Sequence, residues 1–387
     1  MSDVVVVGCG FAGFWSAVAA RRVLGDGPTI VLVAPEPRLV IRPRLYQANP
    51  EALSVDVLVL LESIGVDFVR GAATGIDTSA RTLRIAGDEL AYRRLVIATG
   101  STIRRPPIPG AEDAFTIDQW ADAIAFDRRL RDMCATTARP KIAVVGAGFT
   151  GIELALELRD RVALHASAEV ADQTSIVLID RSPVVGEELG CGPRPEIERA
   201  LHAARIDLML SATVSSLHSK RIDFLGGRSI DVDLVVLTTG MTAAAFAASV
   251  PAERDALGRV HVDRTLQCGA APDLFVTGDS AHVDTGDGHI ALQSCQHAMT
   301  MGRFAGENAA RSLLGMPLFP YSQLRYVTCL DLGRSGAVFT QGWDRAPVRS
   351  GLAAKQIKTQ INNERIYPPA PGDPAALLLA SALPADN

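Results

Sequence analysis

Two sets of three glycines carry the strongest chemical signal in the sequence. The first set follows the apolar run Asp3-Val-Val-Val-Val7, and the second follows the apolar start of KIAVVGAGFTGIELALEL. Glycines at the spacing G-x-G-x-x-G permit a tight turn and let a pyrophosphate approach the backbone N–H groups at the start of a helix. The sequence therefore predicts two dinucleotide-binding loops. Their candidate residues are Gly8, Gly10, Phe11, Ala12 and Gly13 in the first loop and Gly146, Gly148, Thr150 and Gly151 in the second.

The elements that must position these loops also occur twice. Each glycine set lies between a β-branched run, typical of a buried strand, and an alanine- or leucine-rich stretch with a helical pattern. A later apolar strand stops at Thr-Gly in both copies, which adds Thr99, Gly100 and Gly240 to the cofactor-binding candidates. We therefore predict an α/β fold with two Rossmann-like dinucleotide-binding domains.

An acidic residue at the end of the second strand of each unit is expected to bind a ribose hydroxyl pair. In the second unit this residue is Asp180, which favours NADH because a carboxylate repels the 2′-phosphate of NADPH. Arg181 follows directly and keeps NADPH open as an alternative donor. In the first unit Ala34 stands at the strand end, so Glu36 is the ribose candidate.

Three further segments carry a family resemblance. These are Pro43-Arg-Leu-Tyr-Gln47, AGFTGIE at 147–153, and Leu274-Phe-Val-Thr-Gly-Asp279. With the glycine loops they resemble the pyridine nucleotide-disulfide oxidoreductases, and among these the type II NADH dehydrogenases and ferroptosis-suppressor-like proteins. The resemblance implies FAD and NADH as cofactors, a hydride passed from NADH to FAD, and electrons then passed to a quinone or quinone-like small molecule.

The same resemblance assigns roles to single residues. It implies that Gly278 and Asp279 bind FAD, that Arg44 contacts a cofactor, and that Glu153 orients the nicotinamide or its ribose. In the stretch Cys295-Gln-His-Ala-Met-Thr-Met-Gly302, Gln296 matches the acceptor-side motif A-Q-x-A-x-Q-x-G, whereas Thr300 replaces its second glutamine. His297 is a proton-donor candidate, with a structural role as the alternative.

The resemblance also implies how the chain is divided. The FAD domain is predicted to be discontinuous, formed by residues 1–107 and 258–320, with an NAD(P)H domain at 108–257 inserted between. The proline-rich stretch at 105–110 suits a linker. Residues 321–387 are predicted to form a small C-terminal region, including a strand near Arg334–Phe339, and the last residues of the tail from Pro368 are expected to be disordered.

Other electron acceptors were weighed against the cysteines. Disulfide reductases place CxxxxC soon after the first unit, but residues 14–133 contain no cysteine. Sulfide:quinone oxidoreductases use separated cysteines, and Cys134 with Cys329 or Cys295 fits that pattern. Two other readings stay open: a reductase or oxidase that acts on a biosynthetic intermediate or dioxygen, and a nucleotide-binding redox sensor without useful turnover.

Composition excludes several classes. The 43 acidic and 38 basic residues give a net charge of −5, which argues against nucleic-acid binding. We see no apolar run of about 18 residues, no secretory signal and no metal-binding histidine spacing, so a cytoplasmic enzyme is expected. Five basic side chains at 344–365 are interpreted as a solvated helix face, with at most weak peripheral contact with the inner face of a membrane. A homodimer stays open.

Overall fold

The computed structural model describes residues 1–383 of the 387. It begins with the first glycine loop, where a fully buried valine strand leads through Gly8 into a helix that is buried along most of its length. Most residues of this part surround one core. The elements are β1 (Ser2–Val7), α1 (Phe11–Leu24), β2 (Ile30–Ala34), β3 (Arg38–Val40), β4 (Ser54–Asp56), α2 (Leu58–Ser63), β5 (Asp67–Arg70), β6 (Ala73–Asp77), β7 (Thr82–Ile85), β8 (Asp88–Ile97) and β9 (Ser101–Ile103).

The second glycine loop repeats this arrangement between a buried strand and a 17-residue helix. Its elements are β10 (Phe115–Thr116), α3 (Trp120–Thr136), β11 (Lys141–Val145), α4 (Phe149–His165), α5 (Ala168–Gln173), β12 (Ser175–Ile179), α6 (Arg194–Ala203), β13 (Ile206–Met209), β14 (Val214–His218), β15 (Arg221–Phe224), β16 (Ser229–Asp231), β17 (Leu234–Leu237) and β18 (Met241–Ala243).

The remaining chain returns to the first unit and then forms a small antiparallel sheet with two helices. The predicted strand near Arg334–Phe339 corresponds to an observed strand that begins at Ala337, after a short 3-10 turn. The elements are β19 (Val260–His261), β20 (Gln267–Cys268), β21 (Ala271–Val276), β22 (Ala281–His282), α7 (Cys295–Leu313), β23 (Val327–Asp331), β24 (Ala337–Gln341), β25 (Ala346–Ser350), α8 (Gly351–Gln360) and α9 (Pro374–Ala380). The last residues of the predicted disordered tail, 384–387, lie outside the described part.

Two parallel sheets hold the two loops. The first has the order β20-β21-β8-β1-β2-β5, so a strand from residues 271–276 completes a sheet begun by residues 2–97. The second has the order β10-β17-β11-β12-β13, and all its pairings are parallel. In both sheets the glycine-loop strand lies in the same place, between the strand that ends at Thr-Gly and the strand that precedes the acidic residue. Parallel neighbours expose their carboxyl ends at one edge, which is where ligands bind in such folds.

The chain passes from the first sheet to the second and later returns, and the two connecting segments form a strand pair with each other. Strand β9, which leaves the first sheet, is antiparallel to β18, which leaves the second. The exact domain boundaries near residues 107 and 258 stay a prediction. Helix α7 lies directly on α1: Ser16 Oγ donates to the carbonyl of Gly302 at 2.9 Å, and a Cβ at Gly302 would overlap the backbone of Ala12.

The C-terminal region does not form a separate layer. Leu377 of α9 is buried in the core of the first unit, and Arg22 of α1 donates to Ser381 Oγ just after α9. Helix α8 continues into a π-helical turn, Ile361–Arg365. The solvated-face interpretation of this region is wrong for Lys358, because its side chain is buried beneath α8 and contacts groups from three parts of the chain.

Candidate active site

The first glycine loop has the shape and the free donors that a dinucleotide pyrophosphate needs. Gly8 has φ = +108°, and a Cβ there would overlap the carbonyl of Ala98. Gly10 precedes α1, no side chain caps that helix end, and a Cβ at Gly10 would meet open space. The backbone N–H groups of Phe11, Ala12 and Gly13, in the first turn of α1, are therefore free to bind a ligand.

The second loop is built in the same way and adds an anchored acid. Gly146 has φ = +114°, and Gly148 precedes α4 with open space at its Cβ position and no side-chain cap. Asp180 directly follows β12, and its Oδ2 accepts from the backbone N of Ala147 at 2.6 Å. Its Oδ1 accepts from the backbone N of Ser182 at 2.8 Å. The carboxylate is thus fixed beside the loop, where an adenosine ribose would lie.

Asp279 lies at the carboxyl edge of the first sheet, among groups from separate segments. Its Oδ2 accepts from Ser101 Oγ at 2.6 Å and lies 3.6 Å from Arg42 Nη1. Arg42 also donates to Asp118 Oδ2 at 2.8 Å, and these two carboxylates raise the pKa of the guanidinium although burial opposes this. Burial raises the pKa of Asp118. The edge therefore carries fixed charges of both signs.

The other predicted residues of the first unit lie at different distances from this edge. Thr99 Oγ1 is 3.2 Å from Ser280 Oγ, and Ser280 donates to the carbonyl of Gly100 at 3.0 Å. Glu36 is exposed after β2 and accepts from Arg38 Nε at 3.2 Å. Arg44 points elsewhere: it donates to Gln47 Oε1 and to the hydroxyl of Tyr367, both at 2.9 Å.

The arginine beside Asp279 is therefore Arg42, whereas the sequence-based cofactor prediction named Arg44, which stays a prediction. Arg42 and Arg44 flank Pro43 in a short 3-10 turn, so their side chains leave in different directions. Arg42 and Ser101 were both missed. No local spacing marks them, because the contact with Asp279 joins residues far apart in the chain. Gly240 lies at the second crossing, and its carbonyl accepts from the backbone N of Arg104 at 2.9 Å.

Glu153 takes part in a buried ion pair with the C-terminal region. It lies near the start of α4, and its Oε1 accepts from Lys358 Nζ and from the backbone N of Asp331, both at 2.8 Å. Burial raises the pKa of Glu153 to about 7, although the ammonium of Lys358 opposes the rise. Burial lowers the pKa of Lys358, but the charge and hydrogen bond of Glu153, together with the charge of Asp331 and nearby Cys329, outweigh it and the net shift is upward.

Tyr46 extends this pair into a cluster, which we name the Glu153 cluster: Tyr46, Glu153, Asp331 and Lys358. The hydroxyl of Tyr46 donates to Asp331 Oδ2 at 2.9 Å, and the ammonium of Lys358 lies 5.6 Å from the centre of the Tyr46 ring. Burial, together with the charges of Glu153 and Asp331, raises the pKa of Tyr46 well above its ordinary value. Lys355, partly exposed on α8, also binds Asp331, so the cluster reaches the surface.

Gln296 and His297 begin α7 and have different surroundings. Gln296 Nε2 is buried and has no hydrogen-bond partner among residues 1–383. His297 is fully buried, with Nδ1 3.0 Å from Ser294 Oγ and its ring stacked on Tyr326. Burial lowers the pKa of His297 to about 4, so it is neutral at physiological pH. The amide of Gln296 is thus a buried donor that can bind an acceptor atom of a ligand. The ring of His297, in contrast, is packed among aromatic rings.

Comparison with known proteins decides the family. The model of the pyridine nucleotide-disulphide oxidoreductase family matches residues 2–302. The chain belongs to this family. It is 38% identical to a NADH dehydrogenase-like protein of Mycobacterium tuberculosis over 99% of this chain and 98% of that protein. Its identity to the demethylphylloquinone reductase NdbB of Synechocystis is 25%, over 87% of this chain and 86% of that protein.

A solved structure shows the same fold at low identity. The NDH2 of Plasmodium falciparum, solved in complex with NADH, superposes with a TM-score of 0.79 at 12% identity over 95% of each chain. As a pyridine nucleotide-disulphide oxidoreductase, the protein is an enzyme that uses FAD and NADH. The glycine loops fit such groups, since each leaves an uncapped helix start and open space in front of it.

The six cysteines form no disulfide within residues 1–383. All six are free thiols. Cys134 lies in the core around α3, whereas Cys329 packs against α8 in a different cluster. Burial raises the pKa of Cys295 and that of Cys329 to about 11 each. Thiols this weakly acidic are poor nucleophiles, so the cysteine-based alternative loses support.

Proposed function

We propose that the protein oxidises NADH and passes the electrons through FAD to a quinone or quinone-like small molecule. The observation that carries the acceptor assignment is Gln296, whose buried Nε2 has no partner among residues 1–383. A buried donor without a partner costs free energy. A hydrogen bond from this amide to a carbonyl oxygen of the electron acceptor would remove that cost and explain why the donor is retained. The likeness to the demethylphylloquinone reductase supports the same class of acceptor.

The residues of this chain divide the work. The two glycine loops bind the pyrophosphates, Asp180 holds the ribose of NADH, and Asp279 with Arg42 holds the flavin side. FAD, when bound, takes up the hydride and supplies the electrons. Gln296 then orients the acceptor by a hydrogen bond to its oxygen. These groups position the two cofactors and the acceptor and polarise the acceptor. A flavin reaction needs no other catalytic group from the protein for the transfer of electrons.

A proton must also be delivered. Reduction of a quinone to a hydroquinone takes two electrons and two protons, whereas NADH supplies a hydride, so one proton comes from the solvent. Glu153 holds such a proton near pH 7, because burial raises its pKa to about 7. The ion pair of Glu153 and Lys358 joins α4, which begins at the second glycine loop, to the C-terminal helix α8. We therefore assign Glu153 the role of proton source.

An anaerobic absorbance titration tests both halves. We expect NADH to bleach the flavin bands of the purified holoenzyme and a short-chain quinone to restore them. Gln296→Ala should slow the second step by roughly tenfold and leave the first unchanged, as expected for one buried hydrogen bond. Gln173→Ala, at the exposed last residue of α5, is the matched control. If quinone fails to restore the bands in the wild type, the acceptor assignment is wrong.

A second candidate is a reductase or oxidase that acts on a biosynthetic intermediate or dioxygen. It is favoured by Thr300, which stands where the acceptor motif has a second glutamine and whose Oγ1 donates back to the carbonyl of Gln296 at 3.2 Å. Thr300 therefore presents no amide to a quinone. Oxygen consumption by the NADH-reduced enzyme, faster than its reoxidation by quinone, would identify this function.

We propose a cytoplasmic location with at most loose contact with the inner face of a membrane. Within residues 1–383 no helix is long and apolar enough to cross a bilayer. Part of the basic surplus near α8 is already paired with acids, because the partly exposed Lys355 binds Asp331 and the buried Lys358 binds Glu153. Little of that charge is left to attract anionic lipid.

A further inference from the structure

Four hydrogen bonds order the segment after β12, and two of them tie it to Ala147 of the second glycine loop. Two of them bind Asp180 to Ala147 N and Ser182 N. Ser182 Oγ then donates to Glu187 Oε2 at 2.7 Å, and the backbone N of Gly186 donates to the carbonyl of Ala147 at 3.1 Å. The four bonds form a closed ring. Glu187 is therefore held at the same edge of the NADH site as Asp180.

The charges at this edge are unbalanced. Both oxygens of Asp180 accept from backbone N–H groups, and the residue is half-buried. Glu187 is exposed and accepts only from Ser182 Oγ in the described chain, so its charge faces solvent. Arg181 is exposed and forms no ion pair with any of residues 1–383. Two carboxylates and one guanidinium thus lie on the short segment 180–187 that follows β12, the part of such a fold that faces a ribose 2′ group.

We propose that Glu187, positioned by Ser182, is a second residue that excludes the 2′-phosphate and makes this enzyme selective for NADH over NADPH. The 2′-phosphate of NADPH carries close to two negative charges, as other phosphate monoesters do at neutral pH. Arg181 attracts that phosphate, and Asp180 is already engaged with its own loop. Glu187 makes the repulsion of the phosphate exceed its attraction to Arg181, because it adds a negative charge that faces the solvent. The inference rests on the proposed function for its electron donor and not for its acceptor.

Anaerobic rapid mixing of the holoenzyme with NADH or NADPH tests this, since flavin bleaching needs no acceptor. The measured quantity is the ratio of the second-order bleaching rate constants, NADPH over NADH. Glu187→Gln keeps a hydrogen-bond partner for Ser182, and we expect it to raise this ratio about fivefold, as for one unit charge several ångströms from a phosphate in water. Glu187→Arg should raise the ratio further. Glu188→Gln, one residue along and outside the ring, should leave it unchanged.

Salt supplies an independent readout. Raising the ionic strength from about 0.05 to 0.5 M should raise the ratio of the wild type, because repulsion of the phosphate is screened, and should do so less in Glu187→Gln. An unchanged ratio in both Glu187 variants, or an equal rise in Glu188→Gln, overturns the inference and leaves the proposed function intact. Failure of both nucleotides to bleach the flavin of the wild type overturns the inference and the proposed function together. Flavin content and melting temperature show that each variant is folded.

Discussion

The two dinucleotide sites share a strand order and a glycine loop, yet their edges are closed differently. At the first site Asp279 contacts Ser101 and lies beside Arg42, which is itself bound to Asp118, so separate chain segments enclose the edge. At the second site the Asp180 side chain accepts from the backbone N–H groups of Ala147 and Ser182, and Arg181, which follows it, is exposed. We infer that the first site retains its cofactor, whereas the second releases a dinucleotide in each turnover.

A buried ion pair joins elements of the two units. Helix α4, which begins at the second loop, buries Glu153 against Lys358 of α8, and the ring of Tyr46, from the first unit, lies 5.6 Å from the Lys358 ammonium. A buried ion pair contributes little net stability, because the loss of hydration offsets the attraction. We therefore propose that this pair positions charge and a proton between the sites. Variants that affect one site, the other, or the cluster separate these roles.

The largest effect is expected at the enclosed site. Asp279→Ala should reduce the FAD content of the purified protein by roughly 10- to 100-fold, the range for loss of a charged hydrogen-bonding group. The measurement is the ratio of flavin to protein absorbance. Asp207→Ala, at an exposed position of β13, is the control. Full flavin content in Asp279→Ala would show that this edge does not hold the cofactor.

The Glu153 cluster should have a large effect on the free energy of unfolding. Lys358→Met leaves the buried carboxyl of Glu153 without its cation and should lower the free energy of unfolding by about 3–5 kcal/mol, measured by urea denaturation with FAD present. The double variant Glu153→Gln/Lys358→Met should recover part of this loss, because the uncompensated charge is gone. Lys220→Met, at an exposed turn, should change little. Equal losses in the single and double variants would contradict the pairing.

These two variants illustrate what the sequence does and does not predict. Asp279 belongs to a local motif, a strand followed by Thr-Gly-Asp, and the family resemblance of that motif allowed its role to be predicted from the sequence. Lys358 belongs to no such motif. Its partner Glu153 is far away in the chain, and only the packing of α8 beside α4 and β23 brings them together. Arg42 is a similar case, since which of two nearby arginines faces Asp279 depends on a 3-10 turn.

At the open site, Asp180→Ala should raise the KM for NADH by roughly 10- to 100-fold, because the ribose loses a charged partner and the glycine loop loses its anchor at Ala147. The effect should be smaller for NADPH, whose phosphate is repelled by the carboxylate. FAD content should stay normal, in contrast to Asp279→Ala. A loss of FAD in Asp180→Ala would show that the two sites are not independent.

The cluster also predicts a pH dependence. Burial favours the neutral acid, so Glu153 holds a proton below about pH 7 and loses it as the pH rises through that value. Quinone reduction at saturating NADH should therefore fall by about tenfold between roughly pH 6 and pH 8, the change in the protonated fraction of one group with that pKa. Glu153→Gln should remove this inflection. A wild-type profile that is flat across this range would exclude Glu153 as the proton source.

The smallest effect concerns the acceptor. Thr300→Gln restores an amide one turn after Gln296, in a helix where residues four apart share a face. We expect it to raise kcat/KM for a short-chain quinone about two- to threefold, the gain from one partly exposed hydrogen bond, and to leave flavin bleaching by NADH unchanged. Thr300→Val, which keeps the shape and removes the hydroxyl, is the control and should not raise it. If Thr300→Gln lowers quinone reduction while oxygen consumption stays constant, the pocket is shaped for a different acceptor. That result would contradict the quinone assignment and support the oxidase alternative.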